Sequence, residues 1–152
     1  MEPFTIRPLA AEDEMAWGKL RHALWPAEEE EALRGEMGAI LSRADAPVWL
    51  AYDVTGAAIG LIEIEIRDEA PGSDGQPVPY IEGWYVVPEW RGRGVGRALV
   101  RAAEEWALAL GHTRMASDTT PEYPLSPAAH AALGYRTAQV TYHFIKQLRA
   151  TG

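Results

Sequence analysis

A single mixed α/β domain spanning residues 1–152 is the fold this sequence predicts. Residues 58–67 alternate with a period of two, with Ile62, Ile64 and Ile66 facing one way and Glu63, Glu65 and Arg67 the other, as a strand requires. Residues 94–110 instead repeat Leu99, Ala102, Ala103, Trp106 and Leu110 at helical spacing, which gives a helix one apolar face. The segments read in the order β-α-α-β-β-β-α-β-α-β, which suits one mixed sheet rather than a regularly alternating doubly wound fold. At 152 residues the chain is long enough to bury a core without covalent staples.

Each element has a local reason. Residues 4–8 form a short first strand, and residues 11–25 a helix with Met15, Leu20 and Leu24 among its apolar positions, stopped by Pro26. Residues 28–41 form a second helix with Leu33, Met37, Ile40 and Leu41 on one side, and the Glu28–Glu31 run places carboxylates where the helix dipole favours them. Residues 48–52 are a compact apolar strand; the polar Gly/Pro stretch 68–77 connects the 58–67 strand to a β-prone run from Tyr80 that Pro88 stops. Gly111 is placed to end the long helix. Residues 113–117 form a further short strand, Ser126-Pro127 starts a helix with serine as N-cap, Gly134 ends it, and residues 137–146 close the chain as a β segment.

Composition narrows the function. The chain has no cysteine, which removes disulfides, thiolate metal sites and a cysteine nucleophile. Its four histidines are dispersed without metal-ligand spacing, so no metal is expected. No signal peptide or membrane span is visible, and a cytoplasmic location without a membrane partner is expected. A formal charge of −8 opposes a nucleic-acid partner and suits a cationic one, although net acidity also serves plain solubility.

The most informative stretch is Arg91-Gly92-Arg93-Gly94-Val95-Gly96, followed by Arg97, where a strand ends and a helix begins. Glycines let the backbone approach an anion, helix N–H groups and the dipole favour it, and guanidiniums add fixed cationic partners. The lysine and hydroxyl of a nucleoside-triphosphate P-loop are missing, as is full GxGxxG spacing.

The pattern Arg-x-x-Gly-x-Gly, here Arg91, Gly94 and Gly96, together with the element order, resembles the GNAT superfamily of acetyl-CoA-dependent N-acetyltransferases. The resemblance implies the GNAT fold, with acetyl-CoA as co-substrate and its pyrophosphate held by residues 91–97. Tyr80-Ile81-Glu82-Gly83-Trp84-Tyr85-Val86-Val87-Pro88-Glu89, Ala116-Ser117-Asp118-Thr119, His130-Ala131-Ala132-Leu133-Gly134-Tyr135 and Leu24-Trp25-Pro26 resemble segments of aminoglycoside 6′-N-acetyltransferases. Spread over nearly the whole chain, they imply acetylation of a cationic aminoglycoside, a resistance activity, in a homodimeric protein. Acetylation of another polyamine, metabolite or protein amine is the nearest alternative, and a non-catalytic acetyl-CoA-binding module the next.

The chemistry sets requirements on the site. A lysine-like amine has a pKa of about 10.4, so freeing its lone pair at neutral pH costs on the order of 4–5 kcal/mol. A carboxylate within reach can hold the ammonium and take its proton. By resemblance Glu82 and Asp118 are the ligands of the acceptor amine, and either serves as base; a structural carboxylate at 82 and a turn former at 118 are the competing readings. Val86 and Val87 occupy the positions whose strand amide faces the thioester carbonyl, and Pro88 has no N–H to give. His130 stands where many members carry a tyrosine that protonates the departing thiolate; packing is its alternative. Trp25 matches a tryptophan lining the sugar site, with core packing as its alternative. Asp74 and Glu69 add negative charge in the connecting loop. The chain departs from the aminoglycoside pattern at Glu122-Tyr123, Thr137 and Gln139, where acids or Asp-Asn are usual, so fewer acids are expected in the pocket.

Overall fold

In the computed structural model, which describes residues 3–149, the chain runs β1 (Phe4–Pro8), a single 3-10 turn (Ala11–Asp13), α1 (Glu14–Leu24), α2 (Glu30–Leu41), β2 (Val48–Asp53), β3 (Ala58–Arg67), β4 (Val78–Val86), a second 3-10 turn (Pro88–Trp90), α3 (Val95–Ala109), β5 (Ala116–Ser117) and α4 (Ser126–Ala132). The strands lie side by side in chain order β1-β2-β3-β4-β5. The first four are antiparallel, and β5 joins β4 in parallel through only two residue pairs, Tyr80 with Ala116 and Ile81 with Ser117.

Both faces of the sheet are covered, which explains the apolar runs of β2 and β3. Trp49, Ala51, Ile62, Ile64 and Ile81 pack with Val95, Leu99, Val100 and Ala103 of α3. On the opposite face Val48, Leu50, Tyr52 and Leu61 pack with Trp17 and Leu20 of α1 and Met37 of α2. At about 1.5–3 kcal/mol for each fully buried large side chain, these two layers are the main source of stability. β1 is tied to α1 by Asp13: it accepts from Arg7 Nη2 at 2.8 Å, Tyr52 Oη at 2.6 Å and the Ala10 N–H at 2.8 Å. Burial opposes that charge, yet the Tyr52 and Ala10 hydrogen bonds and the Arg7 guanidinium hold the carboxyl below its ordinary value.

Several expectations are corrected. Residues 137–146 do not form a strand: a strand needs a neighbour's backbone groups, and among the described residues the sheet ends at β5. Val140, Tyr142, Phe144 and Ile145 in that stretch, and Leu148 just beyond it, are exposed. The strand expected at 113–117 shortens to Ala116–Ser117. Ser126 is the first helical residue of α4 and not its cap, which is Leu125. Met15, Leu41 and Leu110 face solvent; the inward positions of α1 are Trp17, Leu20 and, against expectation, Arg21.

Candidate active site

The site begins with a mismatch between β3 and β4. Glu63 pairs with Gly83, but Ile64 pairs with Ile81, so Glu82 is one residue too many on β4. Such a bulge turns two successive side chains to one face and re-aims them. Here Glu82 reaches Arg67 on the α1–α2 face. A Cβ on Gly83 would point the same way, 2.9 Å from Cη2 of Trp25. Glycine at 83 is what lets the Trp25 ring lie directly on β4 beside Glu82. Sequence and structure agree in bringing Trp25 and Glu82 together.

Glu82 is fully engaged. Its Oε1 accepts from Arg67 Nε and its Oε2 from Arg67 Nη2, both at 2.7 Å. The Arg67 Cζ lies 3.5 Å from the centroid of the Tyr80 ring, and the Glu82 hydrogen bonds raise the guanidinium pKa above its ordinary value. Asp118 follows directly after β5, whose parallel register with β4 brings it up beside the Glu82 end of that strand. Burial, and then the Asp118 carboxylate beside it, push the Tyr80 hydroxyl up to about 12. Glu82, Asp118, Tyr80 and Arg67 thus share one electrostatic neighbourhood.

Next to it opens a cleft of about 420 Å³ between α1, α2 and the sheet, lined by Trp25 and by five carboxylates, Glu28, Glu36, Glu63, Glu65 and Glu82, against two guanidiniums, Arg21 and Arg43. The acids missing from the C-terminal positions are therefore supplied by α2 and β3. Under the cleft is a charge network that the sequence did not disclose. Arg21 Nη1 donates to both Glu63 oxygens at 3.0 and 3.2 Å, Trp17 Nε1 donates to Glu63 Oε2 at 2.8 Å, and Arg21 Nη2 donates to Glu36. Arg21 and Glu63 are 1% and 3% exposed, so neither charge would be tolerated without the other. Burial raises the Glu63 carboxyl pKa on balance, while Arg21 and the Trp17 hydrogen bond pull it back. Arg21 also lies 4.8 Å from the Trp25 ring centroid and buttresses it from behind. The available signals were an arginine one turn after Trp17 on the inward face of α1 and a glutamate between two isoleucines in β3.

At the other end of β4 stands the anion-binding loop. Gly92 and Gly94 have φ of +76° and +89°, in the left-handed region open chiefly to glycine. The first bond of α3 runs from the Ala98 N–H to the Gly94 carbonyl and no side chain caps the helix, so the Val95, Gly96 and Arg97 N–H groups stay available to a ligand. Arg91 and Arg93 lie near the rings of Tyr85 and Trp90, at 5.5 and 5.2 Å, while Arg97 Nη2 reaches the Ala132 carbonyl at 3.5 Å. Uncapped amides, left-handed glycines and guanidiniums together fit the pyrophosphate of acetyl-CoA.

Between the two ends lies a wedge, because β5 stops opposite Ile81. The Val87 N–H is consumed by the Ile59 carbonyl of β3 at 2.9 Å. Antiparallel ladders alternate inward and outward residues, so both polar groups of Val86 face away from β3; its carbonyl accepts Arg91 Nε at 2.9 Å. Of the two valines, Val86 is the one whose N–H points into the wedge.

His130 on α4 faces the same region. Its Nδ1 lies 2.8 Å from the Ser126 carbonyl, and its Nε2 2.8 Å from Ser117 Oγ. A carbonyl only accepts, so Nδ1 donates to Ser126, and Nε2 shares a hydrogen bond with the Ser117 hydroxyl. The ring meets Trp84 and Tyr135 edge-on at 5.3 and 5.8 Å, and Trp84 Nε1 donates to the Gly96 carbonyl at 3.2 Å. Asp74 is held apart from Glu82: in a left-handed turn with φ of +55°, it accepts from Arg114 Nη1 at 2.7 Å. Glu69 lies in the same loop, 3.8 Å from a Cβ built on Gly75.

Known proteins are similar to this chain in sequence and fold. Residues 15–135 match the model of the acetyltransferase (GNAT) family. A protein of Stenotrophomonas maltophilia named aminoglycoside N(6′)-acetyltransferase type 1 is 38% identical over 141 residues, 92% of this chain and 91% of its own length. A Klebsiella aerogenes protein of the same name is 40% identical over 139 residues, 89% and 91%. Among solved structures, AAC(6′)-Iy in complex with the bisubstrate analogue CoA-S-monomethyl-acetylneamine superposes with a TM-score of 0.86 at 33% identity, covering 95% of this chain and 99% of that one. AAC(6′)-Ih from Acinetobacter baumannii does so with a TM-score of 0.84 at 34% identity and the same coverage. With a wedge between β4 and β5 that ends on an uncapped helix, and with relatives aligned along almost its whole length, the chain belongs to the acetyltransferase (GNAT) family.

Proposed function

We propose that this chain is an aminoglycoside 6′-N-acetyltransferase, a resistance enzyme that moves an acetyl group from acetyl-CoA to the 6′-amino group by direct attack in a ternary complex. One observation carries the reading beyond the family: the bulge that aims Glu82 and seats Trp25 on the rim of a cleft lined by five carboxylates. An aromatic wall suits a sugar ring, and a carboxylate surplus suits a polycation.

When bound, acetyl-CoA supplies an activated acetyl thioester. Residues Arg91, Gly92, Arg93, Gly94, Val95, Gly96 and Arg97 hold its pyrophosphate through backbone amides and guanidiniums. Val86 presents its N–H where negative charge develops on the carbonyl oxygen. Glu82 and Asp118 orient the acceptor ammonium and one of them takes its proton, directly or through one water. For His130 to hand a proton to the leaving sulfur, Nε2 has both to carry a proton and to release Ser117; as found, the ring braces Trp84 against the loop. We assign the chain one acetyltransferase domain and a cytoplasmic site of action, where acetyl-CoA is made. We also propose a homodimer, because the apolar side chains of residues 140–148 are exposed and the outer side of β5 has no strand neighbour among the described residues. No helix among the described residues is long and apolar enough to cross a membrane.

Acetyl-CoA-dependent thiol release with kanamycin or tobramycin, and none with 6′-hydroxyl analogues, is the expected result. Absence of turnover with every 6′-amino aminoglycoside would sink the proposal.

A further inference from the structure

We propose that Arg67 is an internal competitor of the acceptor amine: in the free protein its guanidinium holds Glu82, and an acceptor amine displaces it. The inference rests on Glu82 being a ligand of the acceptor amine.

Both Glu82 oxygens are taken by the Arg67 fork at 2.7 Å. The guanidinium is clamped from the other side by the Tyr80 ring at 3.5 Å. Each oxygen keeps a second lone pair, but an ammonium taking it would stand beside the Arg67 guanidinium, and that repulsion favours exchange of one cation for the other. Asp118, the second proposed amine ligand, acts on the same guanidinium, so one internal cation screens both. The Arg67 side chain is 42% exposed and can swing toward solvent without disturbing the core. The other two arginines near the cleft are committed elsewhere: Arg21 is buried on Glu63, and Arg43 bonds Asp45 and Glu65.

The consequence is a threshold. Exchanging one cation for another on a single carboxylate gives a lone amine little net affinity. An acceptor with further ammonium groups recovers the loss by placing one against Glu28, which lines the same cleft, since Glu36 and Glu65 already hold Arg21 and Arg43. Arg67 therefore raises the KM of every acceptor by a similar factor, which an acceptor with further ammonium groups offsets elsewhere in the cleft.

The test is steady-state acetylation of tobramycin and of methyl 6-amino-6-deoxy-glucoside by the full chain and its R67Q and E82Q variants. For R67Q the KM of both acceptors is expected to fall by about fivefold, equivalent to about 1 kcal/mol, with kcat within about twofold. A KM that is unchanged or higher in R67Q overturns the proposal and makes Arg67 a brace for Glu82. E82Q separates the two layers: unaltered kcat/KM for tobramycin there removes Glu82 as amine ligand. A loss in E82Q without the KM gain in R67Q removes only the role given to Arg67. A measurement on the unaltered protein gives an independent check. The Arg67 Nε–H resonance, protected in the free protein, is expected to lose its protection at saturating tobramycin, and persistence of that protection refutes displacement.

Discussion

Glu82 and Gly83, neighbours on one strand, point to the same face of the sheet, because β4 carries one residue more than β3 between Ile81 and Gly83. In a regular strand they would face opposite ways. The extra residue gives the site a carboxylate and a bare patch of backbone side by side, and Trp25 fills the patch.

Gly83→Ala is therefore expected to push the Trp25 ring off the strand. The new Cβ would come within 2.9 Å of one ring carbon and 3.2 Å of another, and overpacking of this kind costs about 1–3 kcal/mol. Thermal unfolding should show the loss, and the aminoglycoside KM should rise while the affinity for coenzyme A, measured calorimetrically, stays level.

The Arg21–Glu63 pair yields a prediction in two parts. Glu63→Gln leaves the buried Arg21 guanidinium with only the exposed Glu36 as counter-charge and should cost up to about 3 kcal/mol. The double variant Arg21→Met with Glu63→Leu should regain much of that stability, since apolar residues replace a buried ion pair at little cost. It should nevertheless keep a raised aminoglycoside KM, because Trp25 has lost the guanidinium behind it. Denaturant titration and steady-state kinetics on the same preparations check both halves.

Donor and acceptor ends of the site should be separable. Gly94→Ala forces a φ of +89° on a residue with a Cβ, a strain of about 1–2 kcal/mol, and should weaken coenzyme A binding by about tenfold. Glu82→Gln should leave coenzyme A binding intact and lower kcat/KM for tobramycin by about 10²-fold or more. Isothermal titration with coenzyme A, set beside the kinetics, distinguishes the two.

Asp13 predicts a pH dependence. Its folded pKa lies below the unfolded value because the Tyr52 and Ala10 hydrogen bonds and Arg7 outweigh the burial penalty. A lowered carboxylate pKa contributes stability above the unfolded value of about 3.9, and that contribution is lost as pH falls through the folded value. Asp13→Asn should thus lower the Tm at pH 7, with the gap to the parent closing progressively below about pH 4. A gap independent of pH would assign the effect to packing.

The exposed segment beyond α4 carries the dimer prediction. Phe144→Asp combined with Ile145→Asp should convert a dimer to monomers in light scattering after gel filtration, since both side chains are fully presented to solvent in the isolated chain and burying them against a second copy is the gain that charge would abolish.

Much of this protein was legible in one dimension. Alternation at Ile62, Ile64 and Ile66 located β3, and the glycines between Arg91 and Gly96 located the turn into α3. The nearness of Asp118 to Glu82 followed from the order of their strands. Each depends on spacing along the backbone, which local sterics and burial translate directly into structure. Residues 137–146 misled for the same reason: Val140, Tyr142 and Phe144 alternate as a strand would, yet alternation supplies no hydrogen-bonding neighbour. The chain by itself determined most of the segments that are helix or strand and the glycine-rich, arginine-bearing turn that opens α3. Only the tertiary structure decided that Glu82 stands in a bulge, that Arg67 already holds it, that Glu63 is buried on Arg21, and that Val86 rather than Val87 offers its N–H. Those depend on the register of one strand against another and on which charges meet across it, and neither leaves a period in the sequence.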